Sequence, residues 1–239
     1  MDKYADISGD AAYLRRRAAF DALFVPACRR PSDDERILLP DGFSAELRRY
    51  VGQLGGWRQS LCEGFLLDAC GRTQHTWRTV GDEGAFASLF RHSNGRHIFV
   101  YRTALYGYAV LEVESGRAMT YLPACADADS PVGFDETFIW TSAAYSAADD
   151  LLAVDGCFWA APYTTIVLDF TDPLRPQRAD RWLDVSRLLF SPGDDIGDVA
   201  YDRWADGKLW LRHTYESPES LCLSAAQLRT ALRMLECPA

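Results

Sequence analysis

Two histidines flank a turn signal in the run His92-Ser93-Asn94-Gly95-Arg96-His97. A two-residue type I′ turn at Asn94-Gly95 pairs Ser93 with Arg96 and sets His92 opposite His97, both rings on one sheet face. Two imidazoles so placed begin a metal site or share a proton, but a metal needs further ligands. Neither neighbourhood supplies them, so His92 and His97 are weak metal candidates and no cofactor is expected. The carboxylates are more numerous: Asp127, Asp129, Asp135 and Glu136 in one loop, Asp194, Asp195 and Asp198 in another. Asp194-Asp195 lies in no recognisable calcium loop. Aromatic side chains fall near other turns, at Trp57, Tyr106, Trp159, Tyr163 and Tyr215. Carboxylates beside ring faces attract cations and suit sugar or peptide stacking.

Familiar catalytic patterns are missing. There is no Gly-x-Ser-x-Gly elbow, no phosphate-binding Gly-x-x-x-x-Gly-Lys loop, no His-Glu-x-x-His and no dinucleotide fingerprint. Seven cysteines are scattered without a Cys-x-x-Cys, which reads as buried free thiols in a reducing compartment rather than a disulfide framework. Cys157 has no basic or imidazole neighbour in sequence to activate it. The preceding Gly156 marks a bulge or a close backbone approach.

The chain holds 239 residues, with 25 Lys+Arg against 34 Asp+Glu and a formal net charge of −9. An apolar fraction of 48% is enough to form a core, which excludes disorder and fits a single domain. The acidic balance argues against nucleic acid as a partner. Acidic residues near Met1 where a signal peptide is basic, and no apolar run of membrane-spanning length, give the expectation of a cytoplasmic protein without a membrane partner. Only Lys3 and Lys208 are lysines; the other basic residues are arginine, a bias that genome composition explains as well as function does.

The elements that must position these groups are mostly strands. Residues 1–36 form a helical N-terminal segment, with a helix over 9–25 whose apolar stripe is Leu14, Ala18 and Leu23. Residues 224–239 form a C-terminal helix, opened by the capping box Ser224-Ala225-Ala226-Gln227 and packed through Leu228, Leu232 and Leu235. Between them, Asp206-Gly207, Pro40-Asp41-Gly42 and Ser115-Gly116 mark further turns. Over 37–223 four segments share one plan, an apolar strand followed by a small or acidic turn: 64–71, 108–116, 165–173 and 220–224. Their equivalent residues Asp68, Glu112, Asp169 and Ser224 are 44, 57 and 55 residues apart. This is the period of a four-stranded antiparallel blade stretched by loops.

On these segments the chain resembles a β-propeller-like repeat protein, mainly β, with three to four blades forming a small or incomplete propeller. It lacks the Gly-His and Trp-Asp dipeptides of WD repeats, so no WD-repeat function follows. Residues 150–163 also look like a segment of uncharacterised bacterial proteins, which implies no activity. An incomplete ring must cover its edges with helices or by dimerisation, so a monomer or a homodimer is expected. In such blades the inter-blade connections and the inner turns emerge on one rim. That rim would gather Asp135, Glu136, Asp194 and Asp195 beside Trp57, Tyr106, Trp159, Tyr163 and Tyr215. The expected function is a binding module for a basic peptide, partner protein or cationic small ligand. The alternatives are a hydrolase or lyase using a rim carboxylate as general base with His92, His97 or His213 assisting, and an immunity-type inhibitor of a basic toxin.

Overall fold

A computed structural model describes residues 4–80, 86–123, 137–158, 161–191, 198–213 and 220–236. Its strands follow one another as antiparallel meanders. The first comprises β1 (Glu35–Leu38), β2 (Ser44–Leu54), β3 (Trp57–Leu67) and β4 (Thr73–Val80). The second comprises β5 (Ala87–Arg91), β6 (His97–Ala104), β7 (Gly107–Glu112) and β8 (Arg117–Tyr121). A single parallel pairing, Val80 with Ala104, joins these two into one sheet. The third meander is β9 (Phe138–Ser146), β10 (Leu151–Phe158), β11 (Tyr163–Asp169) and the short β12 (Leu183–Asp184). The last sheet has three strands, β13 (Val199–Ala205), β14 (Lys208–His213) and β15 (Ser220–Ser224). The described α-helices are α1 (Ala11–Asp21), α2 (Ser186–Leu189) and α3 (Ala225–Glu236), and no described helix is long and apolar enough to cross a membrane. The molecule is mainly β.

Side-chain alternation assigns the middle strands to two cores at once. On β6, Phe99 and Tyr101 point toward the first meander, where Leu47, Cys62, Leu66 and Trp77 receive them. Ile98 and Val100 point the other way, onto Trp140, Leu152, Val154 and Ile166 of the third. The third meander repeats the division: Leu151, Ala153 and Val167 face Leu209, Leu211 and Leu223 of the last sheet. Strands buried on both faces read as near-continuous apolar runs, and residues 98–101 and 151–154 are such runs.

Several local expectations hold. Asp206 and Gly207, at φ 53° and 67°, form a two-residue turn with Ala205 opposite Lys208. The Gln227 side chain accepts from the Ser224 backbone N–H at 2.9 Å, and the Gln227 N–H donates to Ser224 Oγ at 3.3 Å, closing the capping box. Asp68, Glu112, Asp169 and Ser224 each lie at, or one residue past, the end of a strand, namely β3, β7, β11 and β15. Gly156 sits at a register shift between β9 and β10, and a Cβ there would lie 1.8 Å from the carbonyl oxygen of Ile139.

Two expectations are corrected. α1 is shorter than residues 9–25 and turns a different face inward. Tyr13 and Phe20 are buried, whereas Leu14 is 52% exposed. Arg17, between them on the helix, donates to the Arg78 carbonyl at 2.6 Å, so a guanidinium belongs to the packed face. The second correction is the turn at Asn94-Gly95. Arg91 pairs with His97, and the His92 N–H donates to the Arg96 carbonyl, so the loop holds three residues and not two. Gly95 at φ 84° takes the left-handed position that such loops require.

Gly156→Ala is expected to lower the unfolding free energy by about 3 kcal/mol or more, since backbone must move to admit the methyl group. Ser224→Ala should cost only about 1 kcal/mol, the usual value of an N-cap. Urea denaturation of both variants checks the contrast.

Candidate functional site

In an antiparallel meander successive connections emerge at alternate ends. Contacts between sheets show that the meanders share a common direction. Val80 meets Ala104 at the ends of β4 and β6, and the Tyr163 N–H donates to Asp198 Oδ1 at 2.8 Å just before β13. The molecule therefore has one end formed by the β2–β3, β6–β7 and β10–β11 turns, and an opposite end formed by the turns between.

The first end is where the acidic-aromatic rim was expected. Trp57 follows the two-residue turn Gly55-Gly56, whose φ angles of 59° and 83° only glycine adopts readily. The turn lifts the indole off the sheet, and Trp57 is 74% exposed. Tyr163 opens β11 and is 47% exposed. Tyr106 is a correction: it is buried, two residues beyond Ala104, where the first two meanders join, and offers no ring to a ligand. Asp135, Glu136, Trp159, Asp194, Asp195 and Tyr215 lie outside the described residues.

The histidine pair is also corrected. One extra loop residue shifts the register, and a shift of one residue sends a side chain to the other sheet face. His92 is buried against Tyr145 and Phe170, with Nε2 donating to the Phe170 carbonyl at 2.9 Å and Nδ1 accepting from the Asn94 N–H at 3.2 Å. Both ring nitrogens are committed. His97 lies on the other face beside Phe43, with Nδ1 2.7 Å from Glu114 Oε1 and Nε2 2.9 Å from Asp41 Oδ2. The third histidine weighed for catalysis, His213, packs its ring on Phe190. No cluster of three or more metal-ligating side chains occurs among the described residues.

The described cysteines, Cys28, Cys62, Cys70, Cys157 and Cys222, are all free thiols, though Cys70 and Cys222 are exposed where burial was expected. Burial pushes the Cys62 thiol up to about 11 and raises that of Cys157, the latter partly offset by Arg102. Both are held protonated, the opposite of an activated nucleophile.

The Asp41–His97–Glu114 bridge, which no sequence motif marks, ties three turns together at the opposite end. Burial works against a charged His97 ring, but hydrogen bonds to Asp41 and Glu114 outweigh it and raise the ring above its ordinary 6.5. Burial likewise pushes the Glu114 carboxyl up, and the bonds from His97 outweigh that and hold it below its ordinary 4.5. The His97 contribution to stability is thus fully present below 6.5 and is lost as pH rises through the raised value. That of Glu114 is present above 4.5 and is lost as pH falls through the lowered value. Both act together between those limits.

No protein-family model matches the chain. No curated protein matches it either. Among solved structures it is similar to the crystal structure of HIRA(644-1017), at 12% identity and a TM-score of 0.36, covering 77% of this chain and 54% of that one. The chain thus spans about half the length of that structure.

The stability difference between the natural protein and His97→Gln is expected to be largest near pH 5.5, roughly the middle of the window set by ordinary carboxyl and imidazole values, and to narrow above neutrality. Unfolding free energies measured across that range check it; a constant difference would show that the ion pairs contribute nothing.

Proposed function

We propose that this chain is a binding module built as an open, propeller-like stack of blades, and that the end bearing Trp57 and Tyr163 engages a basic peptide or protein. The observation that carries this reading is the exposure of Trp57, Phe158 and Tyr163 at one end, the exposed large aromatic side chains among the described residues. Tryptophan and tyrosine supply much contact area for little lost side-chain entropy, and dominate many interfaces when water is excluded around them. Asp198 sits beside Tyr163 through the bond from its N–H, which adds a carboxylate to that end. The rim residues Asp135, Glu136, Asp194 and Asp195 would extend this negative field, steering a cationic partner before the rings make contact.

A fluorescently labelled lysine-rich peptide is the direct probe. Binding should weaken steeply with salt, and Trp57→Ala should weaken it by about tenfold or more, as loss of an interface tryptophan commonly does. Replacing Asp194 and Asp195 by Asn should slow association and flatten its salt dependence. A peptide that binds all three proteins alike would remove this end from consideration.

A further inference from the structure

The opposite end holds a cleft of quite different chemistry. It opens between α3 and the connection that leads from β11 to β12, and has a volume of ≈ 350 Å³. Four guanidinium groups line it: Arg175 and Arg181 from the connection, and Arg229 and Arg233 from α3. The two on the helix are four residues apart and so share one face. In a chain of formal charge −9 this concentration of arginine runs against the background.

Among the described residues, one of the four guanidinium groups has side-chain partners. Arg229 is half-buried, lies 3.6 Å from Asp169 Oδ1 and donates to the Asp149 carbonyl. Arg175, Arg181 and Arg233 are exposed, and none of their side chains makes a hydrogen bond or ion pair with any described residue. Two further carboxylates, Asp172 and Glu236, also line the cleft, and Asp172 is engaged by the Leu174 N–H at 3.2 Å. With Asp169 matched to Arg229, three guanidinium groups remain against two carboxylates. Position alone explains part of this, since a cation in the last turn of a helix is favoured by the helix dipole. That accounts for Arg233 and leaves Arg175 and Arg181.

The walls are held in place before any ligand arrives. The Gln177 carbonyl accepts from Tyr108 OH at 3.2 Å and from Trp182 Nε1 at 3.3 Å, and the Gln177 side chain donates to the Asp169 carbonyl. Tyr108 and Trp182 belong to the core between the second and third meanders, so the arginine-bearing connection is anchored in that core. Leu232, buried, adds an apolar surface to the cleft.

We propose that this cleft binds a small organic anion bearing clustered charged oxygens, a phosphate ester or a polycarboxylate, held by Arg175, Arg181 and Arg233. Guanidinium forks match such oxygens bidentately, and the volume suits a small molecule. The site does not depend on the reading of the opposite end. Isothermal titration at low ionic strength with pyrophosphate and with citrate tests it and separates the two sources of anionic oxygen. Saturable one-to-one binding is expected for at least one of them. Arg175→Gln and Arg233→Gln should each weaken it by about tenfold, as loss of a charge-assisted contact does. Arg117→Gln, an exposed arginine on β8 outside the cleft, should leave it unchanged. No saturable binding of either anion, or an equal loss in the Arg117 variant, would overturn the proposal.

Discussion

The packing of the second and third meanders, each between two neighbours, governs this molecule. On the central strands of the second and third meanders, alternate residues serve different cores. At the centre of this arrangement Tyr108 stacks on Trp140 with ring centroids 4.1 Å apart, and Trp182 meets both edge-on. Burial drives the Tyr108 phenol far above its ordinary range, so its hydroxyl stays protonated and donates to Gln177. One contact therefore joins two sheets and fixes the long connection beyond β11. A stack built in this way has two outer faces, and each needs protection from further pairing. On the first meander α1 covers Tyr50, Leu61 and Val80, while Arg78 bridges Glu63 and Asp21. Arg48 lies over the Phe65 ring on the same sheet. On the last sheet Arg203 and Lys208 lie over Trp210, placing charge where an apolar face would invite association.

The turns at the end opposite Trp57 are tied to one another by side chains. His97 joins Asp41 to Glu114, while Ser93 Oγ at 2.5 Å and Tyr145 OH both donate to Asp150. Arg229 adds a bond to Asp149. The bonds of His97 and of Ser93 cross from one hairpin to another, and that of Arg229 from a helix to a turn, so local movement of a single turn breaks contacts in its neighbour. Polar networks of this kind set the relative placement of sheets more narrowly than apolar packing does, because hydrogen bonds are directional.

Much of the strand content was legible because the relevant signals are local. The capping box at Ser224, the turn at Asp206-Gly207 and the acidic or small residues closing β3, β7, β11 and β15 all depend on neighbours in sequence. The errors share one cause. Asn94-Gly95 suits a two-residue turn, yet also supplies the last positions of a three-residue loop, and the choice is made by which face of His92 and His97 can be buried. The face of α1 was misread because Arg17 contributes a hydrogen bond to a carbonyl brought close only by the fold. Tyr106 reads as a turn aromatic, and its burial follows from the junction of two sheets that no local pattern announces. The arginines of the cleft lie more than forty residues apart in two pairs, and a chain rich in arginine throughout gives no reason to single them out.

The length of the strands sets the Trp57 end apart from the cleft. The strand β11, which runs from Tyr163 to Asp169 at the cleft, has 7 residues and spans roughly 20 Å at about 3.3 Å per residue. The screening length at physiological ionic strength is about 8 Å, so carboxylates at one end have almost no influence on a guanidinium at the other. A net charge of −9 thus describes how the molecule behaves toward distant macromolecules and does not describe the field inside the cleft. There the nearest charges decide, and after Arg229 and Asp169 are matched they are mainly positive. An acidic protein can in this way keep a locally basic cleft, since the strand that leads from the cleft to the opposite end is longer than about two screening lengths.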